Sequence, residues 1–310
     1  HELTPDDRAL MVLPFFHING LCVTLMGPLV SGGAVIVAEK FSLSRFWDWV
    51  SEHQATWFSV VPTIISHLLH SPETPPGKVI GHLRFARSAS APLPVETQRA
   101  FEDRFALPIV ETMGLSETAA QMLSNPLPPG VRKIGSPGVA IGNETEILID
   151  DAIAPRGEAG EIAVRGANVM KEYLFNAEET AKTITPDGWL LTGDLGHMDE
   201  DGYVYVTGRR KELIIKGGEN IAPREIDEAL YSSDEVVEAA AFARPCPTYG
   251  QRVEAAVRLS DGATSTEADL IALCISKVGG FKAPDRVHLM AELPKGPSGK
   301  IQRLKLAEML

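Results

Sequence analysis

Three stretches carry side chains whose chemistry points to a phosphorylated ligand. The densest is residues 192–218, TGDLGHMDEDGYVYVTGRRKELIIKGG. Thr192-Gly193-Asp194 sets a carboxylate in a glycine-supported turn, where it could accept two sugar hydroxyls. Gly208-Arg209-Arg210-Lys211 delivers three cations, and Arg209 could donate to ligand oxygens. Gly217-Gly218 opens a passage where another backbone or a ligand can come close. Together these features suit a nucleotide and a second, long ligand; singly, each also reads as part of a polar hairpin with a Gly-rich turn. The second stretch is Met113-Gly114-Leu115-Ser116-Glu117-Thr118. Ser116 could donate to a phosphate oxygen and Glu117 could hold Mg²⁺ beside phosphates, or the pair could be the cap and first-turn acid of a helix. The third is residues 294–303, PKGPSGKIQR, where Lys300 on a Gly/Pro-shaped loop could swing a compact charge toward a phosphate. It is not a Walker loop, because the glycine spacing is wrong and no Ser or Thr follows the lysine. A loop lysine of no special role is the other reading.

Elements that alternate in type must position these residues. Residues 8–16 read as a strand ending at Pro14-Phe15-Phe16-His17, followed by an apolar stretch, residues 18–30, broken by glycines and Pro28. Residues 33–38 read as a buried strand. Residues 43–54 read as a helix with Phe46, Trp47 and Val50 on one face, and residues 56–61 as a strand closed by Pro62 at the start of the next helix. Strand 83–87, loop 88–94, helix 95–105, strand 109–111 and loop 112–118 continue the βα alternation, which indicates a largely parallel sheet. In such sheets ligands lie beyond the carboxyl ends of the strands, so both loops are candidate site walls. From Gly135 the texture changes to short strands with Gly/Pro/Asp turns: residues 144–149, 160–165, 189–191 and 202–206. After Lys211 it changes again, to a helix opened by Pro223, strands 236–243 and 253–259, and a helix 267–278. Thr266 and Asp269 cap that helix and Gly279-Gly280 stop it. Strand 286–290, the lysine loop and a last helix complete an α+β unit.

The 310 residues carry a net charge of −12, which argues against a general nucleic-acid or anionic-membrane binder. Against that background, residues 208–216 hold Arg209, Arg210, Lys211 and Lys216, and residues 294–305 hold Lys295, Lys300, Arg303 and Lys305. Local cations on an acidic protein suggest a small polyanionic ligand; solvated surface lysines are the alternative. Cys22, Cys246 and Cys274 are scattered with no CxxC, which fits a reducing, cytoplasmic setting. No apolar run is long enough for a membrane span, and no secretory signal is visible.

Ser116-Glu117, Thr192-Gly193-Asp194, Gly208-Arg209-Arg210-Lys211-Glu212, Lys216-Gly217-Gly218-Glu219-Asn220-Ile221 and residues 294–300 stand in the order and spacing of the AMP-forming acyl-CoA synthetases. The chain resembles that family, one branch of the adenylate-forming enzymes, over essentially its whole length. Ser124-Asn125-Pro126-Leu127-Pro128, with Arg87-Ser88-Ala89-Ser90-Ala91 upstream, looks most like oxalate–CoA ligases, although Ala120 stands where those carry a histidine.

The resemblance implies an α/β fold in three parts. Residues 1–134 would be the α/β part of an adenylation domain, truncated at its start. Residues 135–210 would be its small β subdomain, and residues 211–310 a mobile α+β lid. It implies ATP or AMP, Mg²⁺ and coenzyme A as ligands, a small carboxylic acid as substrate, and leaves a homo-oligomer open. Asp194 would hold the ribose hydroxyls and Arg209 would contact the ribose. Ser88, Ala89, Ser90, Met113 and Gly114 would border the adenine, which would meet the Met113 thioether where the family usually has an aromatic ring. Ser116 would touch the α-phosphate, Glu117 would hold Mg²⁺, and Lys300 would bridge the substrate carboxylate and the phosphate. Lys211 would be the hinge, Gly217 and Gly218 would line the pantetheine tunnel, and His17 would sit near the acyl pocket. The family's Gly/Ser/Thr-rich phosphate loop would lie ahead of His1, so the chain is expected to be a fragment of the enzyme. Loading of a carrier-protein thiol, and a non-catalytic nucleotide-binding fragment, are the alternatives.

Overall fold

Four short strands pair side by side in parallel: Arg8–Met11 (β1), Ala34–Val37 (β2), Trp57–Val60 (β3) and Phe85–Ser88 (β4). Ile109–Leu115 (β5) extends the parallel set, and Ala120–Ser124 (β6) and Val139–Ala140 (β7) close it antiparallel, giving seven strands in the order β2-β1-β3-β4-β5-β6-β7. The computed structural model describes residues 1–73, 75 and 77–310, and it divides into two units. The first comprises His1–Leu93 and Gln98–Val206, the second Pro94–Thr97 and Thr207–Leu310.

The two faces of the sheet differ. On one, helices Phe46–Glu52, Pro62–His70 and Val95–Phe105 bury Phe46, Val50, Ile65 and Phe101 against Leu10, Phe58, Ala86 and Ile109. On the other, Ala9, Trp57, Phe85 and Val110 pack with Val23. Val23 comes from a helix, Asn19–Met26, wound with the wider π spacing, a form concentrated at functional sites. This region departs from the sequence reading. The first strand ends at Met11, and the stretch expected to be broken by glycines is helical from Asn19 to Ser31. Gly20 permits that: a Cβ there would lie 2.4 Å from the Pro14 carbonyl oxygen, so only glycine lets the helix rest on the preceding turn. The strand expected to be buried, β2, is instead the sheet edge, with Val37 54% exposed.

The loop expected over residues 112–118 is a hairpin. β5 runs to Leu115, Ser116–Thr118 make one tight turn, and β6 returns. Gly114 is where the two arms touch: a Cβ there would fall 1.6 Å from the Ala120 carbonyl oxygen.

Glu144–Ile149 (β8), Ala152–Ile153 (β9), Gly160–Arg165 (β10), Leu190–Met198 (β11) and Val204–Arg209 (β12) form the second sheet, ordered β12-β11-β10-β8-β9. Its inner face (Ile147, Ile162, Val164, Leu190, Val204) shares one core with Met122 and Leu123 of β6 and with Met113 and Leu115 of β5. Both sheets of the first unit are therefore rooted in the same apolar cluster.

In the second unit, Val236–Cys246 (written β15) and Gly250–Leu259 (β16) form a long antiparallel ribbon, joined by Ile214–Lys216 (β13), Glu219–Ile221 (β14) and Arg286–Leu289 (β17). Helices Pro223–Tyr231 and Glu267–Lys282 pack Ile226, Leu230, Leu270 and Cys274 onto it. Thr266 and Asp269 make the expected reciprocal cap, and Gly279, at φ 78°, breaks the helical path where the sequence placed the stop. Among the described residues, no helix is long and apolar enough to cross a membrane.

Candidate functional site

Ser116 and Glu117 sit at the turn of the β5–β6 hairpin, so the helix-cap reading of the pair does not hold. Thr118 locks the turn from within, its hydroxyl accepting from the Leu115 N–H at 3.0 Å and donating to the Ala120 carbonyl at 3.1 Å. Ser116 is exposed. The Glu117 carboxylate is steered by Tyr173, whose phenol donates to Oε1 at 2.8 Å, while the Glu117 carbonyl accepts from the Met170 N–H at 2.8 Å. Burial, and then the bond to Glu117, raise the Tyr173 phenol above its ordinary pKa, so it remains a donor. One oriented, part-exposed carboxylate fits Mg²⁺, which keeps its waters and takes most of its protein-side ligation from one or two carboxylates beside phosphates. Among the described residues no group of three or more His, Cys, Asp or Glu could cage a metal, so ligand phosphates and water would complete the shell.

The adenine-side candidates come from two adjacent strand ends. Ser88 closes β4 and pairs in register with Glu111 of β5; Met113 and Gly114 follow on β5. The Thr112 hydroxyl reaches the Ser88 carbonyl at 3.5 Å. Ser88 Oγ is buried without a partner, Ala89 is buried, and Ser90 takes φ 79°, turning the chain off the strand end. Met113 packs partly into the core beneath the hairpin.

Asp194 lies inside β11, not in the turn the sequence suggested. The strand carries Gly193 at φ 73°, and the β10–β11 register shifts there, so the Thr192-Gly193-Asp194 step is a bulge. Thr192 Oγ donates to the Ile162 carbonyl at 2.7 Å and accepts from the Asp194 N–H at 3.1 Å; the Gly193 N–H goes to Glu161 Oε1 at 2.9 Å. Asp194 itself is 5% exposed. His17 stands in the turn before the π-helix, its Nδ1 accepting from the Asn19 N–H at 3.2 Å, which leaves the proton on Nε2 in the neutral ring.

In the second unit the two basic stretches separate into braces and exposed groups. Lys216 is buried, donating to the Phe281 carbonyl at 2.8 Å with Asp285 at 3.8 Å. Lys295 binds the fully buried Glu238 at 2.8 Å. Arg303 forks onto Asp227 at 2.7 Å and Glu212 at 3.0 Å. Arg209, Arg210 and Lys211 remain exposed, and Lys300 partly so. Lys300 tops a small ribbon in which Lys295 and Ile301 bridge, the Gly296 N–H reaches the Lys300 carbonyl at 2.8 Å and Gly299 takes φ 82°. Gly217 and Gly218, at φ 61° and 89°, form the two-residue turn between β13 and β14, whose register pairs Lys216 with Glu219. Two consecutive positive φ values are what a type I′ hairpin needs, so the glycines have a local reason as well as the ligand-passage reading.

Two groups escaped the sequence reading. Tyr173 lies 56 residues from Glu117 in a segment of no clear pattern, and nothing local marks it. Arg87 did carry a signal, a cation directly after the apolar pair Phe85-Ala86 in a strand. It is 2% exposed and donates to Asn19 Oδ1 at 2.9 Å, Ser59 Oγ at 2.8 Å and Gln121 Oε1 at 3.2 Å. Burial pulls its guanidinium down to about 9.

The chain is similar to known proteins over nearly its whole length. Residues 1–174 match the AMP-binding enzyme family and residues 225–300 match the AMP-binding enzyme C-terminal domain. A sulfoacetate–CoA ligase from Cupriavidus necator is 52% identical over 99% of this chain and 60% of its own length. An oxalate–CoA ligase from Saccharomyces cerevisiae is 39% identical over 99% of this chain and 56% of its own. The ATP-bound crystal structure of MatB from Rhodopseudomonas palustris superposes with a TM-score of 0.91 at 35% identity, over 99% of this chain and 60% of that one. The chain thus spans about 60% of the length of such relatives. Since the first match covers more than half of the chain and the second falls in the other unit, the chain belongs to the AMP-binding enzyme family.

Proposed function

We propose that this chain carries the nucleotide-handling and lid parts of an ATP-dependent acid–CoA ligase. In the first step a carboxylate oxygen bonds to the α-phosphorus of ATP and the bond to pyrophosphate breaks. In the second, the sulfur of coenzyme A bonds to the acyl carbon and AMP leaves with the carbon–oxygen bonding pair. Two anions must meet in the first step, so charge neutralisation and alignment matter more than a strong base. Lys300 and Ser116 supply donors for the carboxylate and α-phosphate, Asp194 and Arg209 hold the ribose, and residues 88–90 with Met113 and Gly114 border the adenine. Mg²⁺ on Glu117 offsets phosphate charge when bound. Lys211 is the hinge that exchanges Lys300 for the Gly217-Gly218 turn between steps, and His17 faces the acyl group. The domain division proposed with these roles is residues 1–134, 135–210 and 211–310.

The observation that carries the reading is the match of both units to one family whose similar members are acid–CoA ligases. We place the substrate among short acids bearing a second anionic group. The sulfoacetate ligase at 52% identity supports a sulfonate more strongly than the oxalate ligase at 39% supports oxalate, and Ala120 weighs the same way. The test is equilibrium binding of AMP to the chain, then pyrophosphate release with ATP, Mg²⁺ and a carboxylate panel. Thioester formation is then compared on coenzyme A and on a phosphopantetheinyl carrier protein. AMP should bind, and Asp194→Ala should weaken it at least tenfold. Unchanged AMP affinity in Asp194→Ala would remove the ribose assignment.

A further inference from the structure

Among the described residues, the first unit contains a buried positive charge with no counter-ion, Arg87. Arg87 projects from β4 on the face it shares with Phe85, opposite the helices. Its three hydrogen-bond partners, Asn19, Ser59 and Gln121, are all neutral, and among the described residues it forms no ion pair. Glu111, one strand away, is not its partner: it pairs in register with Ser88 and its Oε1 accepts from the Leu93 N–H at 3.0 Å. Buried cations are ordinarily paired, because an isolated one costs several kcal/mol of desolvation.

The unmet bonding capacity is all of one kind. A guanidinium can only donate, so it fixes Asn19 Oδ1 as the acceptor; the Ser59 hydroxyl donates to the same oxygen at 2.8 Å. That orientation turns the Asn19 amide nitrogen away from the network, and it is buried without a partner. Arg87 Nε is likewise buried without a partner. The cluster therefore lacks acceptors and negative charge together. A water molecule could take the hydrogen bonds but not balance the charge; a carboxylate or sulfonate does both. Asn19 opens the π-helix two residues after His17, which ties the cluster to the segment assigned to the acyl side.

We propose that Arg87, with Asn19, receives the distal anionic group of the acid substrate and so selects short sulfo- or dicarboxylic acids over monocarboxylic ones. This rests on the acid–CoA ligase reading. Once seated, the anion turns an unpaired buried cation into a paired one, and the free-energy gain is available only to acids that carry the second charge.

The experiment is titration calorimetry of the full 310-residue chain with stable acyl-sulfamoyl adenosines. Three acyl tails are compared: sulfoacetyl, its neutral methyl-sulfone isostere and acetyl, with AMP alone as the reference. The wild-type chain should bind the sulfonate about tenfold or more tightly than the isostere, the scale of a charge-assisted pair. Arg87→Met should erase that preference while the acetyl analogue and AMP stay within about threefold. Arg87→Lys should keep part of it by charge without the fork. A wild-type chain that ranks sulfonate and isostere equally overturns the proposal, and needs no variant to do so. It is also overturned if Arg87→Met keeps the preference, or weakens all three tails alike, since the network would then be a latch between the π-helix and the sheet. If AMP itself does not bind, the ligase reading has failed first, and that result is distinct from a chain that binds AMP without preferring the anion.

Discussion

At the scale of single residues, Lys295 and Lys300 show how two lysines five positions apart take opposite roles. Lys295 is 16% exposed and spends its charge on Glu238, which has no exposure at all. Glu238 also has Arg258 at 3.8 Å, so Lys295→Ala should destabilise the second unit by about 3 kcal/mol, the lower end of the range for breaking a buried pair. Lys300, part-exposed on top of the same ribbon, is assigned to the ligand rather than to the core, and its Ala variant should melt close to the wild type. Its effect should be chemical, a roughly 10²- to 10³-fold loss of adenylate formation, as for loss of one preorganised donor. Thioester formation from pre-made acyl-adenylate should be spared. A paired thermal melt and pyrophosphate assay on both variants reads the distinction; equal loss of both half-reactions in Lys300→Ala would defeat its role.

At the scale of elements, the glycines separate geometry from ligand access. Gly114→Ala places a methyl 1.6 Å from the Ala120 carbonyl oxygen, a clash with backbone that no rotamer relieves. The β5–β6 hairpin should open, with a loss of stability at or above the 1–3 kcal/mol of ordinary overpacking, about that scale or more. AMP affinity should fall with it because Ser116 and Glu117 ride on the turn. At Gly218 a Cβ meets nothing within 4 Å and only φ 89° is unfavourable, so Gly218→Ala should cost about 1–2 kcal/mol. Any slowing of coenzyme A transfer beyond that would report the passage itself. The alternation of short apolar strands and amphipathic helices was legible because a short, wholly buried apolar run survives in Trp57–Val60 and a helical period in Val95–Phe105. The hairpin was not: Thr112 to Leu115 continue a strand whose pairing partner is set by a long-range core, while Ser116-Glu117-Thr118 locally resemble a helix start. The bulge at Gly193 was hidden for the same reason, since a glycine marks a left-handed residue without saying whether a turn or a strand surrounds it.

At the scale of the molecule, each unit has a charged side chain, Asp7 in the first and Arg303 in the second, that joins segments far apart in sequence and looks from the sequence like an ordinary surface residue. In the first unit Asp7 accepts from the Thr4 N–H at 2.8 Å, the Thr56 hydroxyl at 2.8 Å and Arg84 at 2.7 Å. Burial pushes its carboxyl up, but these bonds outweigh it and hold the pKa below the ordinary value. A depressed carboxyl stabilises the fold above the unfolded value, near 3.8, and that contribution disappears as pH falls through the lower folded value. Because Arg84 is 38% exposed the effect is discounted for solvent, and Asp7→Asn should cost about 1–2 kcal/mol at neutral pH and flatten the acid limb of a stability–pH curve. In the second unit Arg303, first residue of the last helix, reaches Glu212, Asp227 and the Ala241 carbonyl, so three distant segments converge on one guanidinium. Desolvation alone would lower its pKa; Asp227 and Glu212 outweigh that and raise it, so it stays charged at any working pH. Asp227 also accepts from the Ala241 N–H at 2.6 Å, so the acid cannot withdraw to water without breaking the ribbon's edge. Arg303→Met should therefore leave two carboxylates partly buried and unpaired and cost about 3–5 kcal/mol. Arg303→Lys should recover only part, because an ammonium cannot make the forked contact to Asp227 and reach Glu212 together. Urea denaturation followed by Trp fluorescence, which reports the first unit where all four tryptophans lie, should stay near wild type in Arg303→Met. Far-ultraviolet circular dichroism, which sees both units, should show an earlier loss of part of the signal. Coincident, unshifted transitions by both probes would mean that the Arg303 cluster contributes little to holding the second unit together.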